Sequence, residues 1–112
     1  MSTPLQRGSV HWVVLDPTVG AEIAKTRPCV ILTSNEIIKR RNTVVVIPLT
    51  STPELARFPL LVAVPSAGQS SKARTEHIRS VDKSRIGQRL GRISETDMHH
   101  IERGVARVLG LG

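Results

Sequence analysis

Apolar runs in this chain are short, and nearly all are cut off by proline, glycine or a polar cluster. Val10 to Leu15, Cys29 to Thr33, Thr43 to Ile47 and Leu60 to Val64 hold β-branched and other apolar residues and are bounded by turn-forming sequence. Runs of that length and composition predict β-strands. Cys29 to Thr33 is apolar almost throughout, which predicts a strand buried on both faces. Cys29 itself reads as a small buried hydrophobe. As the single cysteine, it excludes an intramolecular disulfide framework. Thr43 to Ile47 is the densest β-branched run. Pro48 has no amide donor, so this strand is expected to end there or to lie at an edge.

Further along, Thr50-Ser51-Thr52-Pro53 reads as a loop and Pro65-Ser66-Ala67-Gly68 closes the fourth strand. Gln69 to Lys72 reads as a polar connection, Ala73 to Val81 as two short strands, and Gln88 to Ile93 as one more. Two segments break the pattern. Ser34 or Asn35 can cap a short helix running to Arg41. At the end of the chain Ser94 stands three residues before Asp97, close to a capping box. Met98, Ile101, Val105, Val108 and Leu109 then recur at helical spacing. Gly104 should weaken that helix by about 1 kcal/mol relative to Ala. The expected fold is mainly β: one small antiparallel sheet or barrel, with a short helix and a C-terminal helix packed on it. The 112 residues suit a single domain with a modest core.

Charge narrows the partners. The chain carries a formal +7. Between residues 57 and 92 the cations Arg57, Lys72, Arg74, Arg79, Lys83, Arg85, Arg89 and Arg92 face only Glu76 and Asp82. Such a cluster favours a polyanion, most often nucleic acid, although a merely soluble basic surface has the same composition. Trp12 and Phe58 are the only aromatics besides histidine. Modules that stack single strands on aromatic platforms carry several, so an RNA partner would be gripped through phosphates and polar contacts to base edges. No apolar run approaches the ~20 residues of a membrane span. Residues 1–8 lack a hydrophobic signal region, which points to a cytoplasmic protein without a membrane partner.

The loop between the first two strands adds chemistry. Asp16-Pro17 and Gly20 punctuate it, and Glu22, Lys25, Thr26 and Arg27 crowd a carboxylate, two cations and a hydroxyl against the mouth of the second strand. An arginine there suits a phosphate. Two later blocks follow: Ile47-Pro48-Leu49-Thr50-Ser51, and Arg74-Thr75-Glu76-His77-Ile78-Arg79-Ser80-Val81-Asp82-Lys83-Ser84-Arg85. With Arg7-Gly8 and Leu15-Asp16-Pro17 ahead of them, these blocks, in this order, resemble the MazF/PemK (Kid-type) toxins, small endoribonucleases of type II toxin–antitoxin pairs. The resemblance covers nearly the whole chain. It implies an SH3-like barrel, a two-fold homodimer, a single-stranded RNA substrate, a cognate acidic antitoxin and no cofactor or metal.

The same resemblance implies catalytic roles for Arg27, Thr50, Arg74 and Glu76, and RNA contacts for Glu22, Lys25, Thr26, Ser51, His77, Arg79 and Arg85. Metal-free cleavage needs a base for the 2′-hydroxyl, donors for the phosphoryl oxygens and an acid for the departing 5′-oxygen. Arginine holds its proton at ordinary pH, which makes Arg27 a phosphate clamp and possible proton donor. Carboxylates are ionised at neutral pH, so Glu76 is the better base. Thr50 would orient the scissile phosphate and Arg74 would neutralise the charge developing on it. Each residue also has an ordinary reading. Arg27 could pair with Glu22 or Asp16, Thr50 could be a plain loop threonine, and Glu76 could be a counter-charge to its arginines. Arg79, Lys83 and Arg85 could form a solvated face, and Asp82 reads as structural.

Three positions depart from the family pattern. His77 stands where glutamine is common, His11 where tryptophan or tyrosine is usual, and Ser9 where an acid follows Arg-Gly. His77 could contact RNA or exchange protons, because imidazole titrates near neutrality; His11 is left without an assignment. His99 and His100 are adjacent on the helix and point about 100° apart, which suits a surface better than a shared metal. Two other functions compete with RNA cleavage: a gyrase inhibitor of the CcdB kind, which needs no phosphate-reactive site, and a nucleic-acid-binding module without catalysis.

Overall fold

The structure is a computed structural model that describes residues 5–15 and 26–112. Its elements in chain order are β1 (Ser9–Val14), β2 (Thr26–Ile31), α1 (Asn35–Ile38), β3 (Thr43–Thr50), β4 (Leu61–Ala63), β5 (Lys72–Arg74), β6 (Arg79–Asp82), β7 (Ile86–Arg92) and α2 (Glu95–Val108). The seven strands form one antiparallel sheet in the order β4-β5-β3-β2-β1-β7, with β6 also on β3. The expected small β architecture with a short and a terminal helix is present, and its sheet stays open between β4 and β7.

Alternation along the central strands sends side chains to two cores. Val30, Ile47, Leu49 and Ala73 join Val62, Val64 and Ile101 of α2 in the first. Cys29, Ile31, Val44, Val46 and Val81 form the second, with Val13 and Ile38. Cys29, Val30 and Ile31 are all fully buried, as the continuous apolar run of β2 requires. The basic residues of interest lie on the face of the second core, away from α2.

Several boundaries differ from expectation, each for a tertiary reason. The helix expected to reach Arg41 spans only Asn35–Ile38. Ser34 occupies its N-cap position without a side-chain cap bond, and Asn35 instead accepts from the Arg7 backbone N–H at 2.8 Å. β3 runs through Pro48 to Thr50. Its outer edge pairs with β6 from Thr43 to Val46 and with β5 at Leu49 and Thr50. Pro48 falls where that edge changes partner, so its missing donor breaks no ladder bond on that side. Lys72, expected in a connection, opens β5. β7 begins at Ile86, ahead of the expected Gln88. Leu109 lies just beyond α2 and is exposed, whereas Ile101 is fully buried and Met98 and Val105 pack on the first core.

The start of α2 is held by a divided capping box. Ser94 Oγ accepts from the Asp97 N–H at 3.1 Å, as the sequence spacing predicts. The Asp97 carboxylate does not return to the Ser94 N–H, as a reciprocal box would. It accepts from the Ser66 N–H at 2.9 Å and from the Ser66 hydroxyl, and Ser66 Oγ accepts from the Ser94 N–H at 2.9 Å. Ser66 thus relays the missing leg and ties the turn Pro65–Ala67 to α2. No helix among the described residues is long and apolar enough to cross a membrane.

Candidate functional site

Strand register gathers the predicted residues. Cys29 of β2 lies opposite Pro48 of β3. Carrying that register on by two residues, to the start of β2 and the end of β3, sets Arg27 across from Thr50. Thr50 is also directly opposite Lys72 of β5, and Arg79 of β6 is opposite Val46. Opposed residues share a face, as do residues two apart on one strand. Arg27, Thr50, Lys72, Arg74 and Arg79 therefore all issue from the face of the second core, around Pro48. Four are cations and one is a hydroxyl.

The electrostatics agree. Cys29 is fully buried. Burial pushes its thiol up to about 12, against the opposing pull of the Arg79 and Arg27 guanidiniums. Both positive charges therefore act on one buried atom beneath this face. Arg27 is exposed at the start of β2, and among the described residues it meets no carboxylate within ion-pair distance. Its alternative partners Asp16 and Glu22 lie outside the described residues, as does Lys25.

Thr50 is half-buried at the end of β3, and its Oγ1 accepts from the Thr52 N–H at 3.2 Å. Lys72 Nζ donates to the carbonyls of Thr52 and Ser70, each at 3.0 Å. Ser51 is exposed just past the strand, and Thr26 is exposed opposite Val14. Glu76 and His77 lie on an exposed 3-10 turn, Thr75–His77, directly after Arg74. Thr75 anchors that turn. It is fully buried, its N–H donates to the Leu60 carbonyl at 3.3 Å, and its hydroxyl donates to the Pro59 carbonyl. Arg85 lies on the turn Lys83–Arg85 ahead of β7, with its guanidinium 3.5 Å from the carbonyl of Val14, the β1 residue opposite Thr26. Asp82 caps the turn Lys83–Arg85 by accepting from the Ser84 N–H at 2.8 Å, and these hydrogen bonds from Ser84 hold its carboxyl below the usual range.

Other motif residues are structural. The Arg7 guanidinium donates to Glu102 of α2 and to the Leu32 carbonyl. Gly8, at a φ of +88°, donates its N–H to Ile31 O and accepts from the Ile93 N–H, a left-handed conformation that favours glycine. Arg7-Gly8 is thus a strut between the sheet and α2. His11, unassigned from sequence, is buried at 2 % exposure between Ser9 Oγ and the Gly87 carbonyl. His99 and His100 are exposed, and His99 meets Glu102 at 3.3 Å. Among the described residues no group of three or more His, Cys, Asp or Glu side chains could hold a metal ion.

Lys72 was not among the residues predicted for the site. The signal that could have found it is Lys72-Ala73-Arg74, a small buried residue between two cations at the period of a strand.

Comparison with known proteins places this geometry. Residues 6–109 match the family described as PemK-like, MazF-like toxin of type II toxin-antitoxin system. Endoribonuclease MazF2 of Mycobacterium bovis is 30 % identical over 112 residues, covering 96 % of this chain and 98 % of that protein. Endoribonuclease PemK of Escherichia coli is 35 % identical over 101 residues, 87 % of this chain and 76 % of that protein. Among solved structures, a mycobacterial endoribonuclease in complex with its cognate antitoxin superposes with a TM-score of 0.77 at 25 % identity, over 97 % of this chain and 98 % of that one. MazF from Deinococcus radiodurans matches in fold, with a TM-score of 0.79 at 23 % identity, over 95 % of this chain and 96 % of that one.

Proposed function

This chain belongs to the PemK-like, MazF-like toxins of type II toxin–antitoxin systems, and from that premise we propose that it is an endoribonuclease that cleaves single-stranded RNA without a metal ion. The observation that carries the reading is the common face of Arg27, Thr50, Arg74 and Arg79 around Pro48. Three described arginines set round one hydroxyl suit a phosphodiester better than a neutral ligand.

In this reading Glu76, exposed on the turn after Arg74, takes the proton from the 2′-hydroxyl. The 2′-oxygen attacks the adjacent phosphorus, and the bond to the 5′-oxygen breaks. Arg27 and Arg74 stabilise the charge on the phosphoryl oxygens, and the Thr50 hydroxyl donates to one of them. Arg27, the proposed proton donor, supplies the proton to the departing oxygen, which leaves as a 5′-hydroxyl beside a 2′,3′-cyclic phosphate. Arg79 and the exposed Thr26, Ser51 and His77 line the path of the flanking nucleotides. Glu22 and Lys25 are proposed contacts from the preceding loop, and Arg85 is proposed from the turn Lys83–Arg85.

The same basic face suits an acidic antitoxin segment, which would compete with RNA for these cations. A homodimer is part of the proposal by family membership.

The test is cleavage of a long single-stranded RNA in EDTA, with the product ends mapped. Wild type should cut at discrete sites and leave cyclic-phosphate ends. Arg27→Ala and Thr50→Ala should each lose about 10²–10³ in rate. Salt-sensitive RNA binding without new ends would instead make the chain a binding module.

A further inference from the structure

We infer that Lys72 is a positioning residue of this site, clamping the chain beyond Thr50 so that the Thr50 hydroxyl presents its proton to the scissile phosphate. The inference rests on the ribonuclease reading above. Lys72 sits directly opposite Thr50 in the β3–β5 ladder, and it does not point its ammonium freely into solution. Nζ donates to the Thr52 carbonyl at 3.0 Å and to the Ser70 carbonyl at 3.0 Å. Hydrogen bonds from a charged donor are roughly twice as strong as neutral ones.

The second half of the device is the Thr52 N–H, which donates to Thr50 Oγ1 at 3.2 Å. Thr52 is therefore gripped at both ends, its carbonyl by Lys72 and its amide by Thr50. A hydroxyl has one proton and two lone pairs. Because one lone pair of Thr50 is engaged by Thr52, the hydroxyl is fixed as an acceptor on that side, and its single proton is directed elsewhere. On this face, among Arg27, Arg74 and Arg79, the partner for that proton is a phosphoryl oxygen. Without Lys72 the turn after β3 loses its charged anchor, and the hydroxyl loses its fixed direction. Misplacing a reacting group by about 1 Å can cost on the order of 10² in rate.

Ser70 is itself well placed to serve as the second anchor. The Val64 N–H donates to the Ser71 carbonyl at 2.9 Å, and the Ser71 N–H donates to Gly68 O at 2.9 Å. The turn before β5 is thereby tied to the end of β4. Lys72 bridges the chain after β3 and the turn before β5.

The experiment is single-turnover and steady-state cleavage of a defined RNA by wild type, Lys72→Met, Lys72→Arg, Thr50→Ala and the Thr50→Ala/Lys72→Met double variant. Far-UV circular dichroism and urea melts confirm folding, and Lys72→Gln replaces Lys72→Met if the latter does not fold. Lys72→Met should lower kcat by about 10- to 100-fold with KM within about threefold. Lys72→Arg should recover part of that loss. In the Thr50→Ala background the Lys72→Met effect should shrink to within about twofold, because the two act as one unit.

A Lys72→Met enzyme with wild-type kcat would overturn the inference. Multiplicative losses in the double variant would also overturn it. So would a loss confined to KM together with a salt slope shallower by about one, which marks a direct phosphate contact. If wild type itself leaves the RNA intact, the ribonuclease reading fails and the inference falls with it.

Discussion

A methyl group built on Gly104 of α2 would stand 3.2 Å from Cγ2 of Thr75, the residue that anchors the turn bearing Glu76. It would also stand 3.1 Å from the Pro59 carbonyl and 3.0 Å from Val62 Cγ2. The glycine that weakens the helix on propensity is thus where the helix backbone packs closely on Pro59, Val62 and Thr75, and the absent side chain permits that approach.

Gly104→Leu should destabilise the protein by about 1–3 kcal/mol, since overpacking here pushes against backbone as well as side chains. The check is the urea midpoint. An unchanged midpoint would mean that α2 can move away at no cost. Because Thr75 carries the strain to Arg74 and Glu76, the variant should also cleave RNA more slowly while still folded.

Asp97 is 4 % exposed and holds the Ser66 N–H and hydroxyl. Asp97→Ala should cost about 2–4 kcal/mol, because the Ser66 N–H and hydroxyl both lose a charged acceptor. Ser66→Ala should cost less, about 1–2 kcal/mol, since the Ser66 N–H keeps its carboxylate partner. Thermal melts of the two variants side by side decide the order; a larger loss for Ser66→Ala would contradict the relay.

His11 should make stability depend on pH. Gly87 O, 3.2 Å from Nδ1, can only accept, so Nδ1 carries a proton, and Nε2 lies 2.8 Å from Ser9 Oγ, whose hydroxyl also reaches the Gln6 carbonyl at 2.6 Å. Burial lowers its pKa below the ordinary value of about 6.5; the Gly87 carbonyl pulls the other way, and Arg89 adds to the lowering. With the folded value depressed, the unfolded chain binds the extra proton first. This contribution is therefore full above about pH 6.5 and is lost as pH falls from there through the folded value. His11→Asn keeps a donor for Gly87 without titrating, and its stability should fall less between pH 7 and pH 5. Parallel curves for the two proteins would assign the pH dependence to other groups.

Cys29 should be inert in the native state. Its thiol is fully buried and raised to about 12, and the thiolate is the reactive form. A disulfide reagent at pH 8 should leave it unmodified until denaturant is added. Rapid modification of the folded protein would show that the second core opens readily.

Much of this was legible in local sequence. The β-branched run Val44–Ile47, the continuous apolar strand through Cys29, Val30 and Ile31, and the apolar spacing of Met98, Ile101 and Val105 are patterns of neighbouring residues, and each became the element its period predicts. The Ser94 cap is a three-residue relation and was readable for the same reason. The motif blocks named Arg27, Thr50 and Arg74 because the chain resembles a family, and nothing in their spacing alone brings them together.

Pairing was not legible, because it depends on register between distant segments. Pro48 looks like a strand end until β5 and β6 are known to divide the edge of β3 at that point. Ser66 completes the cap of a helix 31 residues away in sequence from its Asp97 contact, and His11 finds its acceptor at Gly87, 76 residues on. Lys72 looks like a solvated lysine in a polar connection until the ladder sets it opposite Thr50, where it clamps a carbonyl 20 residues earlier. Periodicity and side-chain chemistry act over a few residues, so the sequence by itself determined the elements, the two-sided burial of β2 and the kind of charge available for a partner. Which cations share a face with Thr50, and which residue holds its hydroxyl in place, were decided only when the strands took their register, because a shift of one residue would turn every one of those side chains to the opposite face.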